Sequence, residues 1–273
     1  MSYNSNQLQL QFQGYLNTPL LWESHSVMGI YQLELPQKPI VQFKAKETPN
    51  ARLGKRVEQF VFSELDKYDN INIRLENLQI QKNKQTIGEI DCILERDQQL
   101  IHLEIVYKFY LYDPTQGNTE IEHWVGPNRN DSLIKKLTKL RDKQLPLIKN
   151  PSATKALVDL NVNTNQLSQY VYFKAQLFVP YDEKLPKFNL LNKSCLNGYY
   201  IHYSRINMFE NCKFFIPHKI DWLQTPISHV NWLTYSSFNE EITTLINNKI
   251  APLCWIKFPN GEKQKYFVVW WND

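Results

Sequence analysis

Apolar residues recur at two periods along the chain, near 3.6 in some stretches and 2 in others, so helix and strand patterns follow one another. Leu53, Val57, Phe60, Val61 and Leu65 fall at helical spacing and predict a helix from about Asn50, its cap, to Lys67, after a polar lead-in from Lys44 to Pro49. Ile73, Leu75, Leu78 and Ile80 predict a strand over Ile71 to Gln81, with one slip in alternation near Glu76-Asn77, as at a bulge. The polar Lys82 to Gln85 turn leads into a hairpin. Its first strand carries Gly88-Glu89-Ile90-Asp91, and its second carries His102-Leu103-Glu104-Ile105-Val106-Tyr107-Lys108. Leu133, Leu137 and Leu140 predict a helix from about Asp131 to Gln144. Ser152 to Leu160 predicts another, and Gln169 to Pro180 a buried strand.

Three strands in succession after a helix make a meander, the ordering of an α/β core whose sheet is mixed rather than wholly parallel. Beyond Pro180 the character changes: Trp222, Trp232, Trp255, Trp270 and Trp271 are concentrated there. An amphipathic helix is predicted near Glu240 to Asn248, and a final hairpin turns on Asn260-Gly261 between Cys254 to Phe258 and Lys265 to Trp271. The division expected is a core over residues 1–180 and a β-rich, aromatic C-terminal extension over 181–273 packed on it. Aromatics interleaved with lysines can stack nucleobases, but the same tryptophans serve equally as core.

Composition narrows the classes. At 273 residues one elaborated domain and two intimate lobes are both permitted. The net charge of +4 is compatible with a polyanionic partner. Cys92, Cys195, Cys212 and Cys254 are widely spaced with no paired metal-ligand spacing, which favours free thiols in a reducing cytoplasm and argues against zinc. The longest strongly apolar run near either end, Phe267 to Trp271, is far below the roughly 20 residues that span a bilayer. A cytoplasmic protein with no membrane role is the expectation. There is no Gly-rich phosphate loop, no Gly-x-Ser-x-Gly elbow and no metalloprotease spacing among the histidines.

The chemistry is concentrated in the first hairpin. Side chains alternate along a strand, so Glu89 and Asp91 share one face, while His102, Glu104, Val106 and Lys108 share a face of the next strand. Acids and a lysine amid Ile, Val and Tyr must have their desolvation compensated. A hard divalent cation, Mg²⁺ or Mn²⁺, would do so, and a lysine on the same face can stabilise an attacking hydroxide or a phosphoryl oxygen. Downstream, Lys135, Lys139 and Lys143 are four apart and stack along one side of the predicted helix, near Lys136, Arg129 and Arg141. Such a strip suits a phosphate backbone, or is a plainly solvated face.

The order Glu58 on a helix, Asp91, then Glu104 with a lysine after it resembles the PD-(D/E)XK nuclease superfamily. Gly88-Glu89-Ile90-Asp91, Glu104 to Tyr110, Trp124-Val125-Gly126-Pro127-Asn128 and Gln144-Leu145-Pro146-Leu147 are similar to an uncharacterised bacterial domain-of-unknown-function family over most of the chain. The superfamily resemblance implies a restriction-endonuclease-like mixed sheet core flanked by helices. It further implies a metal site of Asp91, Glu104 and the carbonyl of Ile105, with Glu58 as accessory acid, and offers Gln144 by its position on the following helix. One departure stands out: the superfamily places lysine two residues after the second acid, where this chain has Val106. Lys108 comes four after and starts about 6.6 Å further along the strand.

Three roles follow for this face. The first is a metal-dependent nuclease, with Asp91, Glu104, Lys108 and Glu58 in the catalytic site and Lys135, Lys139 and Lys143 on nucleic acid, DNA or RNA. The second is an inactive nuclease-like fold that binds nucleic acid or a protein partner. The third is a structural ion-pair network, for which Glu89 or Asp91 with Lys108 would suffice.

Overall fold

The computed structural model describes residues 5–36, 42–43 and 52–271. The expected Asn50 cap and the Lys44 to Pro49 lead-in lie outside the described residues. Five α-helices are present among those described: α1 Ser5–Leu16, α2 Leu53–Leu65, α3 Leu133–Lys139, α4 Pro151–Asp159 and α5 Tyr235–Asn247. The strands are β1 Ile71–Lys82, β2 Gln85–Arg96, β3 Gln99–Tyr112, β4 Trp124–Val125, β5 Ser168–Pro180, β6 Leu196–His202, β7 Lys213–Phe215, β8 Leu253–Lys257 and β9 Lys263–Val269. They form one nine-stranded sheet in the order β1-β2-β3-β5-β6-β9-β8-β7, with β4 paired to β3. The sheet is mixed: β5–β6 and β6–β9 are parallel, whereas β1–β2, β2–β3 and β8–β9 are antiparallel. Among the described residues no helix is long and apolar enough to cross a membrane, and all four cysteines are buried free thiols.

The chain divides into two compact units. One comprises Leu20–Tyr107 and Lys135–Lys174, the other Met1–Pro19, Lys108–Ile134 and Ala175–Asp273. In the first, α2 buries Val57, Phe60, Val61 and Leu65, the stripe its spacing predicts. The meander β1–β2–β3 closes through two two-residue turns, Asn83-Lys84 and Asp97-Gln98, all four at positive φ between 50° and 67°. Left-handed φ at both central residues matches the right-handed strand twist, and Asn and Asp tolerate it better than most side chains. Ile80, Ile90 and Ile93 pack with Ile148, Ala153 and Leu157, the last two from α4, whose Asn150 cap accepts the Ser152 N–H.

Sequence and structure differ on β1 and on the basic helix. The register of β1 shifts twice, between Ile73 and Leu75 and between Ile80 and Gln81, on either side of the expected position, and Asn77 has φ 53° inside the strand. The helix predicted over Asp131 to Gln144 is α only through Lys139. It then widens into a π-helical turn, Leu140–Gln144, where the Leu145 N–H reaches the Leu140 carbonyl, and tightens into a 3₁₀ turn, Leu145–Lys149. Pro146 gives the reason: it has no N–H, and its ring excludes the carbonyl four residues back from a regular α-turn.

In the second unit, Tyr181, Tyr199, Phe209 and Tyr266 pack ring on ring at 5.1 to 5.9 Å. Phe214 stacks on Phe238 of α5 at 4.1 Å. Trp255 and Trp271 are buried. The Trp124-Val125-Gly126-Pro127-Asn128 stretch is tied down locally: Pro127 O accepts the Trp271 indole N–H at 2.8 Å, and Asn128 Oδ1 accepts the Ala251 N–H at 2.8 Å. The final hairpin turns at Gly261, φ 90°, a conformation that needs glycine's freedom.

Candidate metal centre on the β2–β3 hairpin

The ladder between β2 and β3 runs from the Arg96–Gln99 pair to Cys92–Leu103. Ile93 lies opposite His102, so alternation puts Asp91, Ile93, His102 and Glu104 on one face of the hairpin. Asp91 is the first residue of β2 past the end of this ladder. There its side chain takes over the pairing, with Oδ2 accepting the Ile105 N–H at 2.9 Å. On the opposite edge of β2, pairing passes from Glu76–Cys92 to Leu78–Ile90 with left-handed Asn77 between them. Asp91 therefore sits where the sheet is locally opened on both sides. The other Asp91 oxygen, Oδ1, has no hydrogen-bond partner among the described residues.

Glu104 is 0% exposed, as is His102. Both Glu104 oxygens are held. Oε1 lies 3.0 Å from His102 Nε2, and Oε2 accepts from the Gln144 amide at 2.5 Å. His102 Nδ1 faces the Gln169 amide nitrogen at 3.3 Å, and that nitrogen also donates to the Leu145 carbonyl. An amide NH₂ has only hydrogens to offer, so Nδ1 is the acceptor and Nε2 carries the hydrogen given to Glu104. An imidazole N–H and an amide thus orient this carboxylate. The π-turn supplies the amide by bringing Gln144 to β3. Gly88 lets the following 3₁₀ turn lie close, since a Cβ there would meet Leu147 Cδ2 at 2.6 Å.

Burial, above all, raises the Asp91 pKa to about 7, and the nearby Glu104 charge adds to it, with a smaller push from Glu58. The Ile105 N–H and the Lys136 charge act the other way. Lys136 also donates to Gln144 Oε1 at 2.8 Å. Glu58 lies further out, half-buried on α2. Burial raises its pKa against the pull of Lys55, whose ammonium binds Glu58 at 2.8 Å, Asn77 Oδ1 at 2.9 Å and Glu89 at 3.0 Å.

The residues singled out by sequence thus fall into four places. Asp91, Glu104 and Ile105 come together on the hairpin. Glu58 pairs with Lys55, close enough for its charge to be felt at Asp91. Lys108 pairs with Asp131 at 2.6 Å, and Glu89 with Lys55, so the ion pairs formed are not those a Lys108-centred network would use. Lys135, Lys139 and Lys143 are exposed, the last on the π-turn rather than on α3. Sequence reasoning gave no role to Lys136, His102 or Gln169. The face shared by His102 and Glu104 was a signal for the histidine. Lys136 was hidden among neighbouring lysines.

Among the described residues, no group of three or more His, Cys, Asp or Glu side chains is placed to hold a metal ion. A centre here would need main-chain oxygen or water to complete two carboxylates. The donors suit that: Oδ1 of Asp91 is without a partner, and each Glu104 oxygen has one donor and keeps a second lone pair. Oxygen donors of this kind fit Mg²⁺ or Mn²⁺. A family model described as Domain of unknown function (DUF1853) matches residues 15–269. No curated protein and no solved structure matches the chain.

Proposed function

The chain belongs to the DUF1853 family, and we propose that it is a metal-dependent phosphodiesterase acting on nucleic acid, built on a restriction-endonuclease-like core. The observation that carries this is the Asp91–Glu104 pair. Two carboxylates share one buried face, and their repulsion helps burial hold a proton on Asp91 up to about pH 7. A divalent cation relieves the same repulsion without a proton. Asp91 through Oδ1, Glu104 and the carbonyl of Ile105 would hold it. When bound, such a cation lowers the pKa of water and neutralises charge developing at phosphorus. The protein's own part is orientation. His102 and Gln144 fix Glu104, the Ile105 N–H aims Asp91, and Lys55 keeps the Glu58 charge paired at the edge of the site.

Exposed Lys135 and Lys139 on α3, with Lys143 on the π-turn, can then meet phosphates of a polynucleotide backbone. Replacing all three with Gln should leave the melting temperature within about 2 °C of wild type, because exposed side chains rarely matter to stability. Every phosphate that is no longer neutralised should reduce the slope of log K against log salt by roughly 0.7 to 0.9. An unchanged slope would return these lysines to plain solvation.

The test of activity is cleavage of single- and double-stranded DNA and RNA oligonucleotides by the purified protein with Mg²⁺ or Mn²⁺. Cleavage of at least one, abolished by chelator, is expected. The pairing of Lys108 with Asp131 favours a second role, a nuclease-like fold that binds nucleic acid without turnover. Salt-sensitive binding of every substrate with no cleavage of any would select it.

A further inference from the structure

Lys136 is linked to the acid pair through Gln144. Its ammonium donates to Gln144 Oε1 at 2.8 Å, the same amide donates to Glu104 Oε2 at 2.5 Å, and its charge is felt at Asp91. Lys108, by contrast, is 2.6 Å from the Asp131 carboxylate, and Lys55 is held between Glu58 and Glu89. From this arrangement we propose that Lys136 is the side chain that contacts the reacting phosphate, and that Gln144 is the residue that positions it. The proposal rests on the phosphodiesterase function above.

The backbone gives the arrangement its rigidity. Lys136 lies one turn into α3, and Gln144 lies eight residues on. In an unbroken α-helix, residues eight apart drift about 80° around the axis, since each advances about 100°. A π-turn between them changes that phase, and here the two side chains meet. Gln144 is oriented at both ends, by a cation on its oxygen and a carboxylate on its nitrogen, so its amide cannot flip without losing both bonds. Leu145 continues the tether, its carbonyl accepting from Gln169. Lys136 is half-buried, so its stem is partly shielded from water while its ammonium is held on Gln144 Oε1.

The chemistry expected of such a cation is specific. In hydrolysis, the oxygen of water bonds to phosphorus as the ester P–O bond breaks. The water proton passes to solvent, and the leaving oxygen takes one up. Negative charge concentrates on the non-bridging oxygens of the transition state, and an ammonium placed against them stabilises it more than it stabilises the ground state. Asp91 and Glu104 cannot do this, because they share the sign of that charge.

The test uses the full-length protein, Mn²⁺ and the best-cut oligonucleotide. Lys136→Met keeps the stem and removes the charge. Its kcat should fall about 10²- to 10³-fold, the usual loss when one donor to a developing oxyanion is removed. Mn²⁺ binding, read by electron paramagnetic resonance without substrate, should be unchanged or tighter, since a repelling positive charge is gone. Lys136→Arg should recover part of the rate, Gln144→Leu should lose less than Lys136→Met, and Lys108→Met should also lose less. The proposal is overturned if Lys136→Met keeps wild-type kcat, or if it loses Mn²⁺ binding and melts lower, as a purely structural lysine would. It is overturned also if Lys108→Met is the more damaged of the two. Wild-type protein that cuts while Lys136→Met cuts equally well removes Lys136 alone. Wild-type protein that neither binds Mn²⁺ nor cuts removes the phosphodiesterase function together with it.

Discussion

Asp91→Asn should melt above the wild type at pH 8 without added metal, and should have lost Mn²⁺ binding and cleavage. The stability effect follows from protonation. Native Asp91 holds its proton to about pH 7, whereas an unfolded aspartate releases it near pH 3.9. The native state therefore binds more protons between those values, and its stability from this group declines as pH rises through that window. It is fully present below about pH 4 and gone above about 7. Asparagine never ionises, and its side-chain oxygen can still accept the Ile105 N–H. Each pKa unit corresponds to about 1.4 kcal/mol, so the gain at pH 8 is roughly 1–4 kcal/mol, with no gain near pH 4. Added Mn²⁺ should invert the order at pH 8 by stabilising only the wild type. Thermal melts of both proteins at pH 4, 6 and 8, with and without Mn²⁺, check this. An Asp91→Asn melt no higher than wild type at pH 8 would mean that burial and the Glu104 charge do not hold a proton on Asp91.

Glu104→Ala should be the most damaging single change among these residues, at roughly 2–5 kcal/mol, and the loss should persist from pH 5 to 8. Two donors depend on Glu104, the His102 Nε2–H and the Gln144 amide, in a place with no exposure at the acid or the imidazole. A buried donor left unsatisfied costs about 1–3 kcal/mol, and the vacated volume adds to it. Glu104→Gln should cost less, because its amide oxygen still satisfies one donor while its NH₂ faces the other. The two acids therefore differ: removing charge at Asp91 relieves the native state, whereas removing Glu104 breaks its polar framework. Denaturant unfolding of both variants measures the contrast. Equal effects in the same direction would contradict the network.

Much of this fold is written in short-range pattern. Alternating Ile and Leu around Asp91 and Glu104 define the strands and put both acids on one face, because a one-residue slip would turn every apolar side chain outward. The helix expected from Ser152, after Pro151, matches α4 to within a residue, and the last hairpin is legible from Asn260-Gly261. Long-range placement is what the pattern does not carry. Nothing local says that β6 runs parallel to both β5 and β9, since parallel neighbours are joined through distant crossovers. Nor does local spacing reveal that Lys55 reaches across to Glu89, which depends on left-handed Asn77. The lysine pattern at 135, 139 and 143 was visible, but Lys136 falls off that spacing. Its meeting with Gln144 depends on a π-turn that α-helical periodicity cannot anticipate.

The central claim is that Asp91 and Glu104 hold one divalent cation between them. Anomalous diffraction from crystals grown at pH 8 with millimolar Mn²⁺ addresses it directly. The expected result is a single strong peak within about 2.0–2.3 Å of an Asp91 oxygen, a Glu104 oxygen and the Ile105 carbonyl, absent from Asp91→Asn crystals. Mn²⁺ peaks elsewhere on the protein, with none at this carboxylate pair, would contradict it.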